Sequence, residues 1–381
     1  MKVNKLLCFV DKTIEPQHSF IDGMLAKRMS DEFDVTIYTS WDRLSDIKKM
    51  NYHNAKLRPY LFPRKGFLRI LNIFVVSFIC LFHSLTNLRS KTVSFCRNEP
   101  TFLLGSFLVT LLPNFSYVFQ SSFPHEDVGE GIKAKIAKSI FKICGPHVKK
   151  ITAVSDEGLI RMEKYFPNAY GVVIPLMGDD VIDEPLRLVN DKHLKFIYIG
   201  TLAESRDFEV VVDSFVKAKI ETNGSFILDI YGGSTYEWNN IIKKSKYYSK
   251  IKDCNVVNYR GSLVREEVLK TICDYDIGIS QVPENKVTSE MSPTKLSEYM
   301  SCGLAVLASD TVPSQSELIN NSKGGVLTGF NEEEIKNGIE WFVNNKCDIY
   351  GLKKNSISYI KDNFTYDNVK EDLLLLLRNG L

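Results

Sequence analysis

Glu290-Met291-Ser292-Pro293-Thr294-Lys295-Leu296-Ser297-Glu298-Tyr299-Met300-Ser301-Cys302-Gly303 is the stretch from which the fold can be read. Two carboxylates, Glu290 and Glu298, bracket seven residues. Between them the pattern predicts a helix start. Ser292 suits the N-cap, and Pro293 suits the first helical position, where its missing N–H costs nothing. Gly303 reads as the helix stop, and residues 305–308 read as a buried strand. Lys295 is out of place electrostatically, because the first turn of a helix favours negative charge. A lysine beside unpaired backbone N–H groups makes sense as a seat for a phosphate. Carboxylates flanking such a seat are better suited to sugar hydroxyls than to the phosphate itself.

Outward from this stretch, strand-like and helix-like patterns alternate. Apolar runs at 196–200, 226–231, 256–259, 276–280, 305–308 and 325–328 are separated by helical patterns at 207–219, 236–247, 265–273, 293–302 and 331–345. Continuous apolar runs divided by amphipathic helices predict a parallel sheet covered on both faces. The first half repeats the plan with runs at 5–10, 35–40, 92–96, 117–120, 151–155 and 171–175. The expected fold class is therefore α/β, with two doubly wound, Rossmann-like parallel-sheet domains in series. The expected domains are residues 1–180 and 190–365, with a hinge near Pro175 to Asn190 where Gly178, Pro185 and charges interrupt the pattern.

A chain of 381 residues is comfortable for two such domains, and its 44% hydrophobic and 25% charged content is ordinary for a globular protein. No C-x-x-C pair occurs among the eight cysteines, so they read as reduced core residues of a cytoplasmic protein. Met1 to Val10 reads as a first strand, not a signal peptide. Net charge is uneven: residues 1–180 carry +7 and residues 181–381 carry −5. Lys133, Lys135, Lys138, Lys142, Lys149 and Lys150 form a basic stretch. It fits either a solvated helix face or a surface for anionic lipid or nucleic acid. Ile70 to Leu85 is apolar but short for a membrane span. A buried helix, a helix lying on a membrane face and a span all remain open for it, and the neighbouring Arg64, Lys65, Arg69, Arg89 and Lys91 are what sustain the second. No HExxH or strand-end DxD occurs, and the Walker pattern GxxxxGK(S/T) is absent, the last of which argues against an NTPase.

The Glu290–Gly303 run resembles the Glu-x7-Glu segment of retaining glycosyltransferases of family four, which have the GT-B fold, two Rossmann-like domains facing a central cleft. Glu290 and Glu298 match the two glutamates, and the Glu298-Tyr299-Met300-x-x-Gly303 tail matches too. This chain departs at Met291-Ser292, where many members carry an aromatic residue and a glycine. Gly200-Thr201-Leu202, followed four residues later by Arg206, is similar to the family's Gly-x-Leu loop with its cation; members often have arginine where Thr201 stands. The resemblance implies that Arg206 and Lys295 pair on a diphosphate, with Ser292, Pro293 and Thr294 at the helix start. It implies that Glu298 holds ribose hydroxyls, that Glu290 orients the donor sugar, and that Leu263 and Val264 lie beside the nucleotide base. Gly232-Gly233 reads as a close backbone approach or simply as a turn. In the first half His125 resembles the family's active-site histidine. Arg97, Asn98 and Glu126, near strand ends, are candidates for reading the acceptor. Asp179-Asp180 is not expected to hold a metal.

The expected activity is retaining, metal-independent transfer of a sugar from a nucleotide-diphosphate sugar to a hydroxyl of a glycan or lipid-linked acceptor in surface polysaccharide synthesis. No cofactor and no nucleic-acid partner are expected. Peripheral contact with the inner face of the plasma membrane is expected through Ile70–Leu85 and the basic first half. The resemblance also implies that residues 366–381 pack back on the first domain. A GT-B epimerase, or a protein that binds nucleotide sugar without transferring it, keeps the same fold. Substitution of Glu290 separates these readings.

Overall fold

The computed structural model describes residues 3–13, 18–40, 51–60, 70–127, 131–178, 181, 193–222 and 224–378. Asp179-Asp180, most of the expected hinge, and Arg64, Lys65 and Arg69 lie outside the described residues. The chain divides into two compact units. Unit 1 comprises Met1–Leu176, Glu290–Ser292 and Tyr366–Leu381, and unit 2 comprises Met177–Ser289 and Pro293–Thr365. Glu290–Ser292, placed in the second domain by its position in the sequence, thus groups with unit 1. The reason is the set of hydrogen bonds described below.

Unit 1 is built on β1 (Val3–Thr13), β2 (Asp34–Ser40), β3 (Asn51–Tyr52), β4 (Ala55–Pro59), β5 (Lys91–Arg97), β6 (Phe115–Ser121), β7 (Lys150–Ala153) and β8 (Tyr170–Val173). Their order is β3-β4-β2-β1-β5-β6-β7-β8, and every pairing is parallel except the short β3–β4 ribbon. That ribbon escapes the apolar-run reading because its strands are two and five residues long. Unit 2 contains β9 (Leu194–Ile199), β10 (Phe226–Tyr231), β11 (Val257–Gly261), β12 (Ile277–Ser280), β13 (Ala305–Ser309) and β14 (Gly325–Thr328), in the all-parallel order β11-β10-β9-β12-β13-β14. Both sheets reverse direction of growth beside their first strand, at β1/β5 and at β9/β12. Such a switch point opens a crevice at the carboxyl ends of the strands. Each sheet has its own buried core, with Phe119, Phe141 and Phe166 clustered in unit 1 and Phe196, Phe215 and Phe342 in unit 2.

The terminal helix Lys370–Arg378 belongs to unit 1 and buries Leu373, Leu374, Leu376 and Leu377. Buried Tyr366 leads into it, and Arg28 grips Asp367 with two N–H donors at 2.7 and 2.8 Å. All eight cysteines are free thiols, five of them buried. Among the described residues no helix is long and apolar enough to cross a membrane.

Candidate active site

In unit 2 the helix Thr294–Ser301 is tied to the end of β9 by two side chains one turn apart. Lys295 Nζ donates to the Ile199 carbonyl, and the Ile199 N–H donates to Tyr299 Oη at 2.8 Å. Both backbone polar groups of Ile199 are thus held by one helix. Tyr299 is fully buried, and it can cross the sheet only because β12 offers Gly278: a Cβ there would meet the tyrosine ring at 2.4 Å. The N-cap is Pro293, not Ser292, and no side chain caps the first turn. Ser292 Oγ instead exchanges two hydrogen bonds with the Leu176 backbone, at 2.8 and 2.9 Å. An uncapped start leaves N–H donors directed out of the helix.

The segment after β9 converges on the same strand end. Gly200 N–H bonds to the Tyr231 carbonyl, and Tyr198 Oη donates to the Thr201 carbonyl at 2.8 Å. Arg206 lies in a single turn of 3-10 helix, Glu204–Arg206, ended by Asp207 in a left-handed conformation at φ 44°. The following helix therefore begins at Glu209, later than the pattern predicts. Burial pushes the Tyr198 hydroxyl up to about 12, against the opposing field of the Arg206 guanidinium. Lys295 thus bonds at the carboxyl end of β9, beside the switch point, and Arg206 lies in the turn that follows that strand end. Gly232 sits at φ 107°, where a Cβ would strike the Gly200 carbonyl at 2.1 Å, so Gly232 marks a close backbone approach, while a Cβ on Gly233 would meet the Leu202 side chain. The Gly233 carbonyl accepts from Tyr259 Oη and Ser262 Oγ, which anchors the turn carrying half-buried Leu263 and exposed Val264. Glu298 is buried on the inner side of the helix, and its Cγ would stand 3.5 Å from a Cβ on Gly178.

In unit 1 a different constellation holds Glu290. Ser155 caps the helix Asp156–Tyr165 by accepting from Gly158 N–H, and its hydroxyl donates to the Glu290 carbonyl at 2.9 Å. From the same helix Arg161 donates through Nε to Glu290 Oε2 at 2.5 Å, through Nη1 to Glu126, and through Nη2 to Ser121 Oγ at 2.8 Å. The second Glu290 oxygen takes no hydrogen bond from the described residues. Arg161 was not singled out in the sequence, where an arginine in a charged helix reads as surface. Its partners are 35, 40 and 129 residues away, so no local pattern marks it. Tyr299, within the quoted motif, was visible but had no assigned task.

At the β1/β5 switch point Arg97, only 1% exposed, bonds to Asp11, His18 and Ser122 at 3.2–3.3 Å. Burial holds its guanidinium below the usual arginine range, with Asp11 opposing that shift. Asn98, at φ 62°, accepts from the Ser122 N–H and hydroxyl. Glu126 is 1% exposed beneath Arg161. These three residues spend their side chains on protein groups. His125 follows β6, half-buried, with its ring 4.7 Å from that of Phe123.

Residues 183–362 match the family described as Glycosyl transferases group 1. Among solved structures, sucrose-phosphate synthase from Thermosynechococcus elongatus superposes with a TM-score of 0.71 over 98% of each chain at 12% identity. A glycosyltransferase from Rickettsia africae gives 0.70 over 100% of both chains at 14% identity. HepE from Anabaena, in complex with UDP, gives 0.65 over 97% of this chain and 98% of its own at 13% identity. No curated protein matches the chain in sequence. The protein is a glycosyltransferase of GT-B fold, and its second unit carries a group 1 glycosyltransferase domain.

Proposed function

We propose that this glycosyltransferase moves a sugar from a nucleotide-diphosphate sugar to a hydroxyl of a glycan or lipid-linked acceptor in surface polysaccharide synthesis, with retention at the anomeric carbon and without a metal ion. The observation that supports the proposal is that Lys295 bonds at the carboxyl end of β9, where an uncapped helix start also lies and from which the turn bearing Arg206 departs. Fixed cations and backbone dipoles aimed at one place stabilise charge that develops on a leaving diphosphate. Glu298 accepts from the ribose hydroxyls, and Leu263 and Val264 flank the base. Gly200 and Thr201 let the backbone approach the phosphates. Glu290, steadied by Arg161, accepts from hydroxyls of the transferred sugar, with His125 as a second contact. Arg97, Asn98 and Glu126 hold the strand ends that form the acceptor side, as positioning residues. As the bond from anomeric carbon to diphosphate oxygen breaks, the acceptor oxygen arrives on the same face, and the departing diphosphate takes its proton. UDP sugars are the first donors to test, because HepE was solved with UDP.

The test is a thermal-shift panel of UDP-, GDP-, ADP- and CMP-linked sugars, followed by turnover with and without EDTA and proton NMR of the product. One nucleotide series is expected to raise the melting temperature, chelation is expected to leave turnover unchanged, and the anomeric coupling of donor and product is expected to agree. A flat panel would overturn the donor assignment. Loss of turnover on chelation, or an inverted product, would overturn the mechanism.

A further inference from the structure

The helix Asn72–Thr86 is inside out. Its inward stripe is Asn72, Val76, Cys80 and Ser84, two of them polar. Its outward stripe is Phe74, Phe78, Phe82 and Leu85, at spacings of three and four that put them on one face. Phe74 and Phe78 are 66% and 69% exposed, and the rings of Phe78 and Phe82 stack at 6.4 Å. The helix is held down by its less apolar side through close backbone packing. Ser77 Oγ donates to the Gly105 carbonyl at 2.8 Å, and Gly105 has no room for a Cβ against Ile73 and Val76. A helix whose outward stripe is the more apolar one wants an apolar surrounding on that side, and the described fold of unit 1 leaves that stripe exposed.

The apolar surface continues beyond that helix. The helix Pro100–Phe107 packs beside it and leads to Leu108 and Leu111, the latter 93% exposed. The helix Ile132–Cys144 packs against Pro100–Phe107 in turn. Its outward side presents Ile132, Ile136 and Ile143, flanked by exposed Lys135 and Lys142. From residue 70 to residue 125 the only carboxylate is Glu99, and residues 131–155 contain none. Arg89 and Lys133 add further exposed cations.

We infer that this three-helix face of unit 1 seats on an anionic phospholipid surface, with the phenylalanines entering the headgroup boundary and the lysines meeting lipid phosphates. The charge pattern selects this occupant. A second copy of the chain would bring a like-charged lysine set against this one, at an electrostatic cost. An anionic bilayer accepts aromatic side chains and lysines together, with each lysine adding to the attraction. The inference stands on unit 1 alone and does not depend on the donor assignment.

The test is co-sedimentation of the whole chain with phosphatidylcholine vesicles, with and without phosphatidylglycerol. Binding is expected only with phosphatidylglycerol and should weaken as salt rises. Phe78→Glu with Phe82→Glu, and separately Lys135→Glu with Lys142→Glu, should each weaken partitioning about tenfold or more. Both pairs are exposed, so circular dichroism melts and nucleotide-sugar thermal shifts should match the parent. Failure of the parent to sediment with anionic vesicles, or undiminished binding by both variants, would overturn the inference. So would a dimer in gel filtration that the phenylalanine substitutions convert to monomer, since a second copy would then cover this face.

Discussion

Arg161 holds Glu290 from a helix that is 129 residues earlier in the chain, Nε to Oε2 at 2.5 Å, while the same guanidinium bonds to buried Glu126. One arginine therefore pairs with two carboxylates, and it fixes one Glu290 oxygen while leaving the other without a bond from the described residues.

Removing that arginine should be costly. Arg161→Ala leaves Glu126 buried without its cation, a loss of about 3–5 kcal/mol for a broken buried pair. Urea unfolding should show the midpoint fall by a corresponding amount. If Arg161→Ala unfolds at the parent midpoint, the pairing has been misjudged.

Glu290 and Lys295 should separate kinetically. Lys295→Ala is expected to weaken nucleotide-sugar binding by about 10- to 100-fold, the range for a charged hydrogen bond to phosphate. Glu290→Gln keeps the size of the side chain and should lower kcat with little change in nucleotide affinity, because its contacts are to the sugar being transferred. Titration calorimetry with UDP, alongside turnover, distinguishes them; equal effects of both substitutions on UDP affinity would contradict the division of labour.

Gly278→Ala tests the support behind Lys295. The new Cβ would stand 2.4 Å from the Tyr299 ring, which is buried and cannot swing aside. Overpacking of this kind costs about 1–3 kcal/mol. Because Tyr299 and Lys295 hold the two backbone polar groups of the same residue, Ile199, donor affinity should fall together with stability. Retained affinity would show that the phosphate seat does not depend on Tyr299.

Lys150 should make stability depend on alkaline pH. It is buried at the start of β7 with no hydrogen-bond partner for Nζ, and burial, with Lys91 nearby, pushes its ammonium down from 10.5 to about 8. Between those values the unfolded chain binds more protons than the folded one, so stability rises with pH from about 8 to about 10.5. Below pH 8 both states are protonated and the burial cost is fully present. Lys150→Met should raise the melting temperature by about 2–4 °C at pH 7, the response of a domain this size to about 1 kcal/mol, and should flatten the alkaline rise.

Leu374→Ala probes the terminal helix. A cavity in a packed site costs about 2–5 kcal/mol, and Leu374 is buried within unit 1. The loss should appear in the melting of unit 1, while nucleotide-induced stabilisation of unit 2 persists.

The strands of unit 2 were legible because they read as apolar runs, and the inner ones, such as Ala305–Ser309, are buried on both faces. Phe226–Tyr231 and Gly325–Thr328 were bounded to the residue. Helix starts were less legible. Ser292 has the chemistry of an N-cap, yet its hydroxyl is taken by Leu176, 116 residues away. Asp207 delays the next helix by turning left-handed. Capping preference is a small local energy, and a long-range hydrogen bond readily outweighs it.

What this sequence determined by itself was the alternation of buried strands and amphipathic helices, the glycines at strand ends and the paired glutamates with an intervening lysine, because periodicity and backbone freedom are local properties. What only the tertiary structure decided was which charges meet. Lys295 finds the end of β9, Glu290 finds Arg161, and the Glu290–Ser292 segment joins unit 1. Those pairings join residues about 100 or more positions apart, and the chain order carries no signal of them. They follow from burial, since a charge withdrawn from water must find its partner wherever the packed sheets bring one within reach.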